Sequence, residues 1–196
     1  WMFNQLQHTI TGWPGGKPNF SDENRPERAE PAHKRCLIFS PHPDDDVISM
    51  GGTFDRLVSQ GHEVHVVYQT SGNIAVSDQD ALKYLEVTSD LIEEKSNPQL
   101  EILKKAFLEA NPNHPANRSI CDLKGSIRKR ESLGATRYFA VPDKQVHFMN
   151  LPFYETGMIA KNPISQKDID LTVAIIEKIK PHQIYAAGDL ADPHGT

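Results

Sequence analysis

The run Ser40-Pro41-His42-Pro43-Asp44-Asp45-Asp46 packs an imidazole and three adjacent carboxylates into one short stretch. Neighbouring aspartates repel one another unless a cation or a helix N-terminus offsets their charge. One aspartate would suffice to cap the helix whose apolar spacing begins at Val47, so three of them behind His42 point to a divalent metal. A neutral imidazole nitrogen and a carboxylate oxygen together suit zinc, and catalytic zinc takes three protein ligands plus a water. His42 and Asp45 are the candidate ligands in this loop, and Asp192-Pro193-His194 is the distant segment that could complete the site. Magnesium-dependent phosphoryl chemistry is an alternative for an oxygen-rich cluster. It makes less use of His42, and no Walker-type glycine loop accompanies it.

Such a loop needs rigid elements to hold it. Cys36 to Ser40 is a continuous apolar strand of the kind buried on both faces. Val47, Met50, Phe54, Leu57 and Val58 recur at helical spacing, with Gly61 as the stop. Glu63 to Gln69 predicts a second strand, ending at Thr70-Ser71-Gly72-Asn73. A helical region over 80–110 is interrupted near Asn97-Pro98 and broken by Asn111-Pro112-Asn113-His114-Pro115. Ser119 to Ala135 predicts a helix, and Arg137 to Val141 and Val146 to Asn150 predict strands. Ser165 to Lys180 predicts an amphipathic helix with Ile169, Val173, Ile176 and Ile179 on one face, halted at Pro181. Ile184 to Ala187 is the last predicted strand and runs into the His194 loop.

This alternation implies an α/β fold, a Rossmann-like, mostly parallel sheet with helices on both faces. Ligands of such sheets sit beyond the carboxyl ends of the strands. The His42 loop, the Ser71-Gly72 turn and the His194 loop should therefore share one rim.

The chain has 196 residues and a formal charge of −5, enough for one domain with a hydrophobic core. It lacks the basic surface that phosphate contacts with nucleic acid require. No apolar stretch reaches the length of a membrane span and no signal peptide is readable, so a cytoplasmic location is expected. Cys36 and Cys121 read as unrelated core thiols, in keeping with a reducing compartment. Residues 1 to 34, punctuated by Pro14, Gly15, Gly16, Pro18, Pro26 and Pro31, read as a linker or a strap from a preceding domain. The domain proper is expected over 35–196, incomplete at its C-terminus.

Pro41-His42-Pro43-Asp44-Asp45-Asp46 resembles the Pro-His-Pro-Asp-Asp-Glu hallmark of the PIG-L/LmbE family of zinc-dependent N-acetylglucosaminyl deacetylases. Ser71-Gly72, the Arg128-Lys129-Arg130-Glu131 helix, His147 to Pro152 and His194 follow in the family's order. The wider pattern is similar to the C-terminal domain of bacterial glucosamine-6-phosphate deaminase-like fusion proteins, which implies a covalently attached N-terminal domain of that kind. The resemblance makes His42 and Asp45 zinc ligands and Asp44 the general base that takes a proton from water. It makes His194 the group that stabilises the oxyanion or protonates the amine, and puts the third ligand just past Thr196. Arg128, Ser71 and Gly72 would face an amino-sugar substrate. Asp46 replaces the family's Glu, Asn73 stands where many relatives are acidic, and Tyr154-Glu155 occupies the region of an aspartate that touches the sugar. His62, His65, His114, His147 and His182 read as structural or surface residues. The rival to catalysis is a non-catalytic domain that binds a sugar or regulates an attached enzyme.

Overall fold

Parallel pairing of short apolar strands frames the chain in a computed structural model that describes residues 33–91, 98–109 and 117–187. Strand β1 (Arg35–Ser40) pairs with β2 (Glu63–Tyr68) on one side and β4 (Gln183–Tyr185) on the other. Strand β3 (Val146–Phe148) lies beyond β2, so the order is β3-β2-β1-β4 with every pairing parallel. The helices are α1 (Asp45–Ser59), α2 (Asp78–Leu91), α3 (Pro98–Leu108), α4 (Arg118–Tyr138) and α5 (Gln166–Ile179).

Period-two alternation assigns the two faces of the sheet. Cys36, Ile38, Val64, Val66 and Tyr68 face α1 and α4, where Phe54, Leu57 and Leu133 complete a core. Leu37 and Val67 face α5 and meet Ile175, Ile176 and Ile179. Burying a side chain the size of Phe54 or Leu57 contributes about 1.5–3 kcal/mol. A second core under α2 and α3 joins Ala81, Leu85, Leu100 and Phe107 to Ile120 and Ile127 of α4. The expected helices on both faces are therefore present. Among the described residues no helix is long and apolar enough to cross a membrane. Cys36 and Cys121 are buried and unbridged, and burial pushes the Cys36 thiol up to about 11.

Two expectations fail. Arg137 to Val141 is not a strand: α4 runs on through Tyr138, and the chain then turns at Ala140, whose φ is 59°. Buried Leu133 and Thr136 continue the helical spacing to its end, and the turn closes with Val141 N–H donating to the Thr136 carbonyl at 3.0 Å. On α5, Ile169 and Val173 are 47% and 46% exposed, and the inward face is carried by Ile175, Ile176 and Ile179. All but the last two of residues 1–34, where a linker or strap is expected, together with His114 and the His194 loop, lie outside the described residues.

The sheet fixes the His42 loop through buried polar groups at the ends of β1 and β2. Ser40 Oγ donates to the His42 carbonyl at 2.5 Å and accepts from the Asp46 amide at 3.0 Å. Tyr68 Oη donates to Asp46 Oδ2 at 2.8 Å. Burial raises the Asp46 carboxyl above the usual range, with the Tyr68 and Ser40 hydrogen bonds opposing. Thr70 Oγ1 donates to the Pro41 carbonyl at 2.8 Å, and Ser132 Oγ of α4 donates to the Pro43 carbonyl at 3.1 Å. Three elements thus grip successive residues of one loop.

Tyr68→Phe removes a buried donor from a buried carboxyl, and should cost about 1–3 kcal/mol. Urea unfolding measures this; an unchanged midpoint would mean that Asp46 needs no such partner. A second test concerns pH. Burial, His65 and Lys178 push the His147 imidazole down to about 4, and burial with Lys34 and His33 lowers His62. The unfolded chain, with imidazoles near 6.5, therefore binds more protons between about pH 6.5 and 4. Stability is complete above that window and falls as pH drops through it. His147→Gln should flatten the fall; an identical pH dependence in the variant would contradict it.

Candidate functional site

The carboxyl ends of β1 and β2 carry the His42 loop and the Ser71-Gly72 turn side by side. Gly72 adopts φ 64°, and a Cβ there would lie 2.7 Å from Pro43 Cδ. Only glycine permits that turn and the close approach of the two loops. Gly125 of α4 faces Ser71 in the same way, its added Cβ meeting Ser71 Cβ at 3.3 Å. The cluster is thus assembled by backbone approach at two glycines.

The three aspartates do different things. Asp45 Oδ2 turns back to accept from the His42 amide at 2.8 Å, and it lies 3.1 Å from His42 Nδ1. Asp44, at the N-cap of α1, makes no side-chain cap bond. Its Oδ2 accepts from Arg128 Nη2 at 2.8 Å, while Arg128 Nη1 donates to Glu131 Oε2 at 2.8 Å. Asp46 points inward to Tyr68 and Ser40. The N-cap residue itself makes no cap bond, and mutual repulsion is relieved by three separate sets of partners.

The separation of His42 Nδ1 and Asp45 Oδ2 suits a shared ion. Two ligand atoms each about 2.0–2.2 Å from a tetrahedral centre lie about 3.3–3.5 Å apart. A small adjustment from 3.1 Å would let both donors grip one cation. Among the described residues no group of three His, Cys, Asp or Glu side chains gathers around such a point. Residue His194 lies outside them.

Arg128 is drawn out of the solvated cation run on α4. Its side chain is 17% exposed, whereas Lys129 and Arg130 are exposed. Burial would lower its pKa, but pairing with Asp44 and Glu131 more than offsets this and keeps the guanidinium charged. Ser71 offers its backbone amide to Glu155 Oε1 at 3.1 Å, and its hydroxyl accepts from the Asn73 amide at 3.3 Å. Asn73 Nδ2 donates to Glu155 Oε2 at 3.2 Å. An acid at position 73 would face Glu155 as a like charge, so these two departures from the family pattern belong together.

Several contributors were not singled out from sequence as site residues: Ser40, Tyr68, Glu131, Ser132 and Asp168. Asp168, at the start of α5, accepts from Phe153 N at 3.0 Å and Ser165 N at 2.8 Å, and so anchors the segment that carries Tyr154 and Glu155. Burial opposes its ionisation, but hydrogen bonds from Ser165 and Phe153 outweigh that and hold its carboxyl below the usual range. Tyr154 stands edge-on to His42 with ring centroids 6.1 Å apart. His62 and His182 accept from the amides of Lys34 and Arg35, and His65 bonds His147, all outside the His42 loop. A cleft of about 500 Å³ lined by Pro41, Asp45 and Tyr185 opens between the start of α1 and the end of β4, beside the β1–β4 pair. There the strand order reverses, the usual place for ligands in an open parallel sheet.

Comparison with known proteins bears on what this rim is for. The chain is 52% identical over 202 residues to a glucosamine-6-phosphate deaminase-like protein of Bacteroides thetaiotaomicron, covering 100% of this chain and 30% of that one. A diacetylchitobiose deacetylase of Thermococcus kodakarensis is 32% identical over 72 residues, 37% of this chain and 27% of the relative. The chain therefore spans under a third of the curated relatives it matches. The fold is similar to that of N,N'-diacetylchitobiose deacetylase from Pyrococcus horikoshii, with a TM-score of 0.53 at 21% identity over 99% of this chain and 53% of that one. The family model for GlcNAc-PI de-N-acetylase matches residues 37–195, so this chain belongs to the PIG-L family.

Proposed function

We propose that this domain is a zinc-dependent deacetylase that hydrolyses the N-acetyl group of an N-acetylglucosamine-type sugar. The observation that carries this reading is the pairing of His42 Nδ1 and Asp45 Oδ2 at 3.1 Å beside a separately held Asp44. Membership of the PIG-L family and the names of the deacetylase relatives support it.

His42 and Asp45 would hold the ion, together with a ligand the resemblance puts just past Thr196. When bound, zinc supplies a Lewis acid and lowers the pKa of water towards neutrality. Asp44 would take the proton of the attacking water as its oxygen bonds to the acetamide carbon. Arg128 turns Asp44 Oδ2 towards itself, so Oδ1 is the oxygen for that proton. His194 would stabilise the oxyanion by hydrogen bonding. As the C–N bond breaks, the sugar nitrogen takes the proton that Asp44 accepted, and acetate leaves. Ser71, Gly72 and the Asn73–Glu155 pair would border the sugar. In the whole protein, a glucosamine-6-phosphate deaminase-like domain attached on the N-terminal side is proposed to share the amino-sugar chemistry, in the cytoplasm.

In the full-length protein, Asp44→Asn should cut deacetylation by about 10²–10⁴-fold while the metal content is kept. Free-amine release and elemental analysis read the two quantities, and comparable turnover by the variant would remove Asp44 from the base role. Arg128→Lys separates two roles of the arginine. If it chiefly holds Asp44, kcat should fall about tenfold or more with KM little changed. A rise in KM alone would make it a substrate contact instead.

A further inference from the structure

The segment after β3 reaches the rim at two adjacent residues. Glu155 bonds Ser71 and Asn73. Tyr154 lies against His42, with ring centroids 6.1 Å apart and ring planes at 65°. The hydrolysis itself makes no use of that ring. Tyr154 belongs to a buried cluster with Leu151 and Phe153, on which Ile74 also packs. The backbone around it is tied at three points. The Phe153 amide donates to Asp168 at 3.0 Å, the Tyr154 amide to the Leu151 carbonyl at 3.0 Å, and the Asn162 amide to the Phe153 carbonyl at 2.9 Å. The Tyr154 ring is therefore a fixed surface, and His42 has to fit against it.

We infer that Tyr154 is a positioning residue, which sets the plane of the His42 imidazole for a metal ion. This role rests on the reading of His42 and Asp45 as metal ligands. The lone pair of an imidazole nitrogen lies in the plane of the ring. Gripping an ion therefore needs the plane aimed at it as well as the nitrogen near it. The 3.1 Å approach to Asp45 sets where Nδ1 sits but not how the ring is tilted. An aromatic ring packed edge-on across the imidazole sets the tilt, and edge-on is a preferred geometry for such pairs. Sites of this kind are held by neighbours whose own rotamers are locked by packing, as that of Tyr154 is. Stacking on a sugar is a poor alternative, because Tyr154 is 3% exposed and offers a substrate almost no surface. The contact is made by the ring and not by the hydroxyl, so phenylalanine should serve in its place.

The test compares Tyr154→Leu, Tyr154→Phe and Phe153→Leu in the full-length protein by zinc competition titration. The histidine ring signals of metal-free protein labelled with carbon-13 at Cε1 give a second readout. Phe153 is the control, since it is buried in the same turn and its ring meets Tyr154. Tyr154→Leu should weaken zinc binding about tenfold or more and displace or broaden the His42 signal. Tyr154→Phe should match the wild type in both, and Phe153→Leu should keep the zinc affinity. Unchanged zinc affinity in Tyr154→Leu would overturn the role. So would an equal loss in Phe153→Leu, which would make the effect a general loosening of the turn. A wild type that binds no zinc would overturn the metal reading and the role together. The metal-free spectra separate the two failures, because the His42 signal still moves in Tyr154→Leu if only the metal reading is wrong.

Discussion

Like charges on consecutive residues must be held apart by the groups around them, and in this chain that requirement organises the whole rim. Asp44 faces the Arg128–Glu131 pair, Asp45 faces His42, and Asp46 faces Tyr68 and Ser40 inside the sheet. Each of the three contacts recruits a different element. Arg128 brings α4, the His42 loop closes on itself, and Tyr68 ties α1 to the end of β2. Opposite charge and hydrogen bonding favour ionised carboxylates, whereas burial disfavours them, so three identical side chains acquire three environments. Division of labour within one tripeptide follows from where each side chain can reach.

That arrangement depends on close backbone packing. Gly72 lets the second loop touch Pro43, and Gly125 lets α4 approach Ser71. Around this frame polar groups are satisfied in pairs. Asn73 donates to Glu155, and Glu155 in turn receives the Ser71 amide. Asp168 ties down the segment that carries Glu155 by bonding the Phe153 amide from the first turn of α5. A change at any of these positions would be felt through the others, because they form one connected hydrogen-bond network.

Much of the frame was legible from local pattern. The apolar run before His42 and the helical spacing after Val47 gave β1 and α1, and the alternation of element types gave parallel order. His42 and Asp45 were found together because they are three residues apart. What local pattern missed depends on long-range pairing: Arg128 reaches Asp44 across 84 positions, and Asn73 reaches Glu155 across 82. Tyr138, Phe139 and Val141 suit either state, so local pattern predicts strand at the helical tail of α4, where buried Leu133 and Thr136 decide for helix. At Ile169 and Val173 of α5, apolar spacing does not distinguish which of two overlapping stripes meets the sheet, and both residues are exposed.

The proposed chemistry turns on a single ion held by one imidazole and one carboxylate from the same loop. Zinc-edge X-ray absorption on the full-length protein examines it directly. The expected spectrum has nitrogen and oxygen neighbours at about 2.0–2.2 Å, and His42→Ala should lower the nitrogen count or abolish binding. A zinc environment unchanged by His42→Ala, or wild-type protein that takes up no metal, would contradict it.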